Sequence, residues 1–259
     1  MKAKLLRYVQ VGMLVVSLTG LGWATYQVAH YLRTAARFEV KALAVSGVGG
    51  PLKRVSEDQI IAQAEFEVGT NVFRADLTMI RERVERLQWV RHAIVQRVLP
   101  DQIIIRVVER EPIGIGRIQG DAYQFDVDAT ILELDTISTA SFPILDGLRR
   151  GDPEGNLRKV GVYQSVLTEL GEAQLSEISI NEAGEVLVVS ASDPLKVNLG
   201  LEEFRNRWIK YLQLKTQIQE QYPQAVKVDL RFKNQVIVRM KDDESFGEQV
   251  VWGGEKKTL

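Results

Sequence analysis

The chain has no cysteine among its 259 residues, which removes disulfides, thiolate nucleophiles and thiolate metal sites from consideration. That absence does not place the protein, because oxidising compartments also hold cysteine-free chains. Histidine is nearly as scarce. Only His30 and His92 are present, so a histidine-rich metal centre is out of reach, and His92 beside Trp89 reads as a surface or packing residue. An excess of one charge is missing too: 33 Lys and Arg stand against 34 Asp and Glu, for a net charge of −1. Without a basic field or a cation run interleaved with aromatics, nucleic acid is excluded as the main partner. Gly47, Gly49 and Gly50 follow neither phosphate-loop spacing, so no cofactor is expected. No repeat of solenoid period is present either.

What the chain does have is enough length, and 45% hydrophobic residues, to bury more than one core. Residues 8–31 contain no Lys, Arg, Asp or Glu, long enough for a helix to cross a hydrocarbon layer. Tyr8 at one end and Trp23, Tyr26 and Tyr31 toward the other suit the two interfaces, and Gln10 and Gln27 lie where their amides reach water. The run is too long for a signal-peptide core, and Thr34-Ala35-Ala36 comes late for a cleavage site, so an uncleaved anchor is expected. Lys2, Lys4 and Arg7 are matched in number by Arg33, Arg37 and Lys41, but the first three are denser and gain the free amine. A cytoplasmic N-terminus follows, with the bulk of the chain outside the cytoplasm.

Beyond residues 32–37, read as a linker, the pattern runs strand, helix, helix, strand, strand over residues 38–118. Residues 38–46 read as the first strand. Ser56-Glu57-Asp58-Gln59 is a capping box, and Asp76 caps a helix whose Leu77, Ile80, Val84 and Leu87 recur at helical spacing. Residues 91–99 and 102–109 flank Pro100-Asp101 as a hairpin. Residues 119–240 are mainly strand-like with two helices. A hairpin surrounds Asp128-Ala129-Thr130, and a turn occupies Asn181-Glu182-Ala183-Gly184. One helix covers residues 160–170, and a second begins near Leu201 with Leu201, Phe204, Trp208, Tyr211 and Leu212 as one stripe. Strands over residues 226–232 and 236–240 come last, and residues 241–259 read as a disordered polar tail. The fold class is α+β.

Asp126 and Asp128 share a strand face and resemble an acid/base pair, which keeps a membrane-anchored cell-wall hydrolase as a rival reading. Aspartates flanking a turn more often bond its backbone, and no nucleophile or histidine accompanies them, so no enzyme is expected. The final strand Val236-Ile237-Val238-Arg239-Met240 stands out instead. Its position suits equally a sheet edge that accepts a partner's strand and an edge shielded by its own tail.

The ordered set of elements resembles the FtsQ/DivIB family of bacterial division proteins. The resemblance rests on Val45-Ser46-Gly47, Trp89-Val90 and Leu99-Pro100-Asp101, then Asp126-Val127-Asp128 and Phe142-Pro143-Ile144-Leu145-Asp146-Gly147. Lys196-Val197-Asn198-Leu199-Gly200 and Val228-Asp229-Leu230-Arg231-Phe232 complete it. It implies a cytoplasmic tail over residues 1–7, one transmembrane helix, a POTRA domain over 38–118 and a mainly antiparallel β domain over 119–240. It further implies a scaffold at the division septum that binds the small coiled-coil division proteins FtsB and FtsL, among other divisome components, and links them to septal peptidoglycan synthesis. Position by position, it assigns partner contact to Arg231, Phe232, Asn234, Val236, Ile237, Val238, Arg239 and Met240. Family members often carry glycine where this chain has Ala129 and Gln235, which implies different turn geometry there and leaves the register of the last hairpin open. A POTRA-bearing translocation or chaperone factor is the other rival, though such proteins repeat the unit and add a membrane barrel.

Overall fold

The computed structural model describes residues 2–135, 142–170, 175–233, 235–241 and 249–250, with backbone only for 2–11 and 249–250. The chain divides into two units, Met1–Arg110 and Glu111–Leu259.

The first unit opens with α1 (Lys2–Thr34). Among the described residues, no helix is long and apolar enough to cross a membrane. The helix expected over residues 8–31 is therefore present, but Thr19, Gly20, Gly22, Thr25 and Gln27 dilute its apolarity. No free linker follows it. Residues Ala36–Phe38 form a 3-10 turn, and β1 (Ala42–Gly47) starts later than the strand expected from residue 38. The alternation there is real, but Val40 is buried and bonded to a loop, donating to the Thr70 carbonyl and accepting from the Gly69 amide.

Helix α2 (Glu57–Ala64) carries the expected capping box, with the Ser56 hydroxyl and Gln59 amide exchanging bonds with each other's backbone N–H. The Asp76 carboxylate caps α3 (Leu77–Val84) through the amides of Thr78 and Met79. Ile60, Ile80 and Val84 point into a core shared with Val40, Val72, Ile103 and Ile105, and Leu77 and Leu87 pack half-buried against it. The hairpin is β2 (Val90–Val98) and β3 (Gln102–Glu109); β3 lies centrally, antiparallel to β2 and parallel to β1.

The second unit starts at Glu111 rather than after residue 118, because β4 (Gly114–Ile118) pairs antiparallel with β5 (Asp121–Phe125) and parallel with β7 (Ile144–Asp146). β6 (Ile131–Leu132) closes the hairpin around Ala129. After α4 (Pro153–Leu170) come β8 (Leu175–Ile180), β9 (Val186–Ser190) and β10 (Asp193–Gly200). Then α5 (Phe204–Gln221) leads to β11 (Ala225–Asp229), β12 (Val236–Met240) and β13 (Gln249–Val250). One ten-stranded sheet results, in the order β13-β12-β11-β10-β9-β8-β7-β4-β5-β6. Its pairing is mainly antiparallel, with parallel contacts at β4–β7, β7–β8 and β10–β11.

Tyr163 of α4 and Tyr211 of α5 are fully buried beside Phe125, Leu145 and Leu199. Helix α4 begins earlier than residue 160, since the Asp152 carboxylate accepts the Gly155 amide and Pro153 suits the first helical turn. On α5 the buried stripe is Phe204, Trp208, Tyr211 and Ile218. Leu201 and Leu212, expected in that stripe, are exposed. Leu201 precedes the helix, and Leu212 falls about 100° around the axis from Tyr211.

Candidate protein-binding edge

The expected partner-contact residues lie around the end of β11 and along β12. Asp229 closes β11, and its mostly buried carboxylate accepts from Arg231 three times: Nε at 3.0 Å, Nη2 at 2.7 Å and the backbone amide at 3.1 Å. Nη1 of the same guanidinium reaches Glu185 Oε1 at 2.5 Å, across from the turn into β9. Asn198 of β10 completes the cluster, donating its amide to Asp229 at 3.4 Å while its oxygen accepts from the Gly200 amide. Gly200 has φ +73°, and an added Cβ would strike the Arg207 guanidinium and lie 3.0 Å from Arg231 Cγ. The positive φ favours glycine there, and a larger residue would push the Arg207 guanidinium aside.

Burial pushes the Asp229 carboxyl up, but the hydrogen bonds and charge of Arg231 outweigh it and hold it below the usual carboxylate value. Asp229 and then Glu185 hold the Arg231 guanidinium firmly in its charged form. Arg231 is thus a clamp joining β11 to the β9 turn, with its plane 5.8 Å from the ring of exposed Phe232. Both residues lie beyond β11 rather than within a strand reaching residue 232. Asn234 lies outside the described residues.

Along β12, Val236 and Val238 are buried in the second unit's core, whereas Ile237 and Met240 are half-buried and Arg239 is exposed. The strand pairs antiparallel with β11, Ile237 facing Asp229 and Val238 facing Val228, which settles the register. The Lys241 amide donates to the Gln224 carbonyl at 3.2 Å. Backbone groups alternate sides along a strand, so the amides of Ile237 and Arg239 also turn toward β11. Those of Val236, Val238 and Met240 turn outward. This outer edge is partly covered: β13 pairs Val250 with Val236 and Gln249 with Ile237. Shielding by the chain's own tail thus holds at the start of β12, and the tail contains a strand where none was expected. The apolar run Val250-Val251-Trp252 was the signal for it.

The Asp126 carboxylate accepts the amides of Asp128 at 3.0 Å and Thr130 at 2.9 Å, so its visible task is to build the β5–β6 turn. Ala129 in that turn has φ +59°, the left-handed geometry that glycine adopts at least cost.

Residues 40–110 match the "POTRA domain, FtsQ-type" family, and residues 116–231 match "Cell division protein FtsQ/DivIB, C-terminal". The chain belongs to the FtsQ/DivIB family. Its relatives agree. "Cell division protein FtsQ" of Koribacter versatilis is 28% identical over 239 residues, covering 88% of this chain and 67% of its own. The protein of that name from Syntrophotalea carbinolica is 24% identical, over 76% of this chain and 73% of its own. Among solved structures, the major extracytoplasmic domain of the division protein DivIB from Geobacillus stearothermophilus covers 43% of this chain and 96% of its own, at 18% identity. Its TM-score of 0.27 is too low to support anything further. An FtsQ/DivIB protein of this kind is a cell-division protein, and its two matched segments fall one in each unit.

Proposed function

We propose that the chain is a non-enzymatic divisome scaffold that takes a strand from a small coiled-coil division protein of the FtsB kind onto the outer edge of β12. An FtsL-like protein shares the assembly, which the scaffold links to septal peptidoglycan synthesis. The observation that carries this reading is the outward row of amides at Val236, Val238 and Met240, beside which, among the described residues, β13 pairs with Val236 and Ile237. An edge of this kind supplies register and affinity through its backbone, and neighbouring side chains supply selectivity. Phe232 presents an exposed aromatic anchor beside it. Asn234 and Arg239 belong to the same contact, with Arg231 holding the turn in place.

The scaffold is held at the cell membrane by α1, with residues 1–7 in the cytoplasm and residues 38–240 outside it. Two features of α1 support this. Its apolar side chains at Met13, Leu14, Val16, Leu18, Leu21 and Trp23 are exposed and need cover. The hydroxyls of Thr19 and Thr25 donate to the carbonyls of Val15 and Leu21, so neither is left unsatisfied in lipid. Affinity capture of the tagged chain from detergent-solubilised membranes tests the whole reading. Small single-pass coiled-coil proteins are expected in the eluate; recovery of outer-membrane barrel components in their place overturns it.

A further inference from the structure

We infer that the loop of residues 65–74 is a membrane-contact surface, seated on the lipid headgroup layer beside the point where α1 leaves the bilayer. The inference rests on α1 being the anchor. It starts from Asn71, a buried side chain in that loop. Asn71 donates Nδ2 to the Leu32 carbonyl at 3.0 Å and to the Ala35 carbonyl at 3.5 Å, and accepts the Phe73 amide on its oxygen at 2.9 Å. One loop side chain therefore caps the end of the helix. Backbone bonds from Val40 to Thr70, Gly69 to Val40 and Val72 to Phe38 fasten the same loop to the segment that follows α1. No slack remains between the helix end and the domain.

The surroundings suit an interface. Tyr31 in the last turn of α1 meets Phe38 edge-on at 6.4 Å between ring centres, and Phe38 meets Phe73 at 5.2 Å. Aromatic rings in such a row favour the depth where hydrocarbon gives way to headgroups. At the loop's tip Val68 is 55% exposed, an apolar side chain with no cover from the described residues. Exposed Arg33, Arg37 and Arg74 lie on the last turn of α1, the segment after it and the loop, with exposed Glu39 and Glu67 on the same stretches; Glu65 is occupied by Arg83. The balance is one positive charge, enough for phosphate oxygens without demanding an anionic membrane.

Distances agree. Val68 is three residues from Asn71, hence within roughly 11 Å of it, and Asn71 touches the helix one residue past Tyr31. The headgroup region of one leaflet is about 6–7 Å deep, so a residue tethered this close to the helix exit falls within or beside it. Val48 is the natural contrast. It is equally exposed, but β1 carries it about 20 Å along an extended strand away from the loop.

Because the chain has no cysteine, single nitroxide labels can be placed on the full-length protein at Leu18→Cys, Val68→Cys and Val48→Cys. Each is reconstituted in phosphatidylcholine–phosphatidylglycerol vesicles, and label depth is read from its accessibility to oxygen against a water-soluble nickel complex. Leu18→Cys should report hydrocarbon and Val48→Cys water. Val68→Cys should lie between, with nickel accessibility several-fold below that at Val48→Cys. If Leu18→Cys reads hydrocarbon while Val68→Cys reads water, the contact surface is wrong and the anchor stands. Equal immersion of both valine labels also overturns the inference, since the loop is then no special surface. Water at all three positions removes the anchor, and the inference with it.

Discussion

Val238→Pro discriminates most sharply between strand addition and any other use of the C-terminal edge. The Val238 amide points away from β11, so proline there leaves the ladder between β12 and β11 intact. Its costs to folding are a restricted φ and the repacking of a side chain that is 1% exposed, about 1–3 kcal/mol together. The incoming strand loses one hydrogen bond, about 0.5–1.5 kcal/mol, and meets the ring where it must approach closely. Since about 1.4 kcal/mol is tenfold in affinity, the lost bond alone should raise the partner's Kd by about two- to tenfold, and the clash should raise it further. Titration of the captured coiled-coil protein into detergent-solubilised chain gives Kd, with circular dichroism and protease resistance reporting the fold. Met240→Pro, another outward amide, should behave alike. Ile237→Pro faces β11 and should damage the fold itself, by about 3 kcal/mol. A well-folded Val238→Pro protein with unchanged Kd would refute strand addition.

Other substitutions separate the roles of neighbouring residues. Phe232→Ala should leave thermal stability unchanged and weaken the partner by about 2 kcal/mol, because the ring is exposed, lies outside the core and is the proposed anchor. Arg231→Ala should destabilise the second unit by about 1–3 kcal/mol before discounting for solvent at its open flank, read as a lower melting temperature, because it strands Asp229 and Glu185. Equal melting temperatures would show that the clamp is ornamental. A chain ending at Lys241 loses β13 and should bind the partner a few-fold more tightly, since a tethered competitor has left the edge; weaker binding would mean the tail belongs to the interface. Acid should weaken the second unit through Asp193. Burial pushes its carboxyl up, but the Tyr211 hydroxyl at 2.6 Å, the Leu195 amide and Lys215 hold it below its usual value. The carboxylate's contribution is complete above the unfolded pKa of about 3.9 and is lost as pH falls through the lower folded value. Asp193→Asn should flatten the acid limb of the stability curve; an unchanged limb would place the effect elsewhere.

Local chemistry was legible in the sequence, and long-range chemistry was not. The capping box at Ser56 and Gln59, the Asp76 cap and the turn at Gly184 are short-range hydrogen-bond patterns that the sequence carries whole. Residues 38–46 misled because an alternating pattern looks the same whether it pairs as a strand or is pulled aside, and Thr70 does the pulling. The stripe on α5 misled at its ends because periodicity does not say which apolar residues the sheet will cover. The POTRA-like unit's boundary moved because β4 finds its partners in β5 and in β7, and β7 lies further along the chain.

The candidate site shows the same division at higher stakes. The resemblance named Arg231 and Phe232 together, as though both faced a partner, but their surroundings separate them. Arg231 is committed to Asp229 two residues away and to Glu185, 46 residues away, a pairing that no local pattern announces. Phe232 has no such internal claim and keeps its ring exposed. β13 adds a second distinction. Among the described residues it pairs with Val236 and Ile237, at the start of the edge. On the proposed reading, a partner strand and β13 claim the same outward backbone groups, so the partner must displace β13 to use the start of the edge. β13 is then a tethered competitor for the edge, and its removal is the direct measure of what that competition costs the partner.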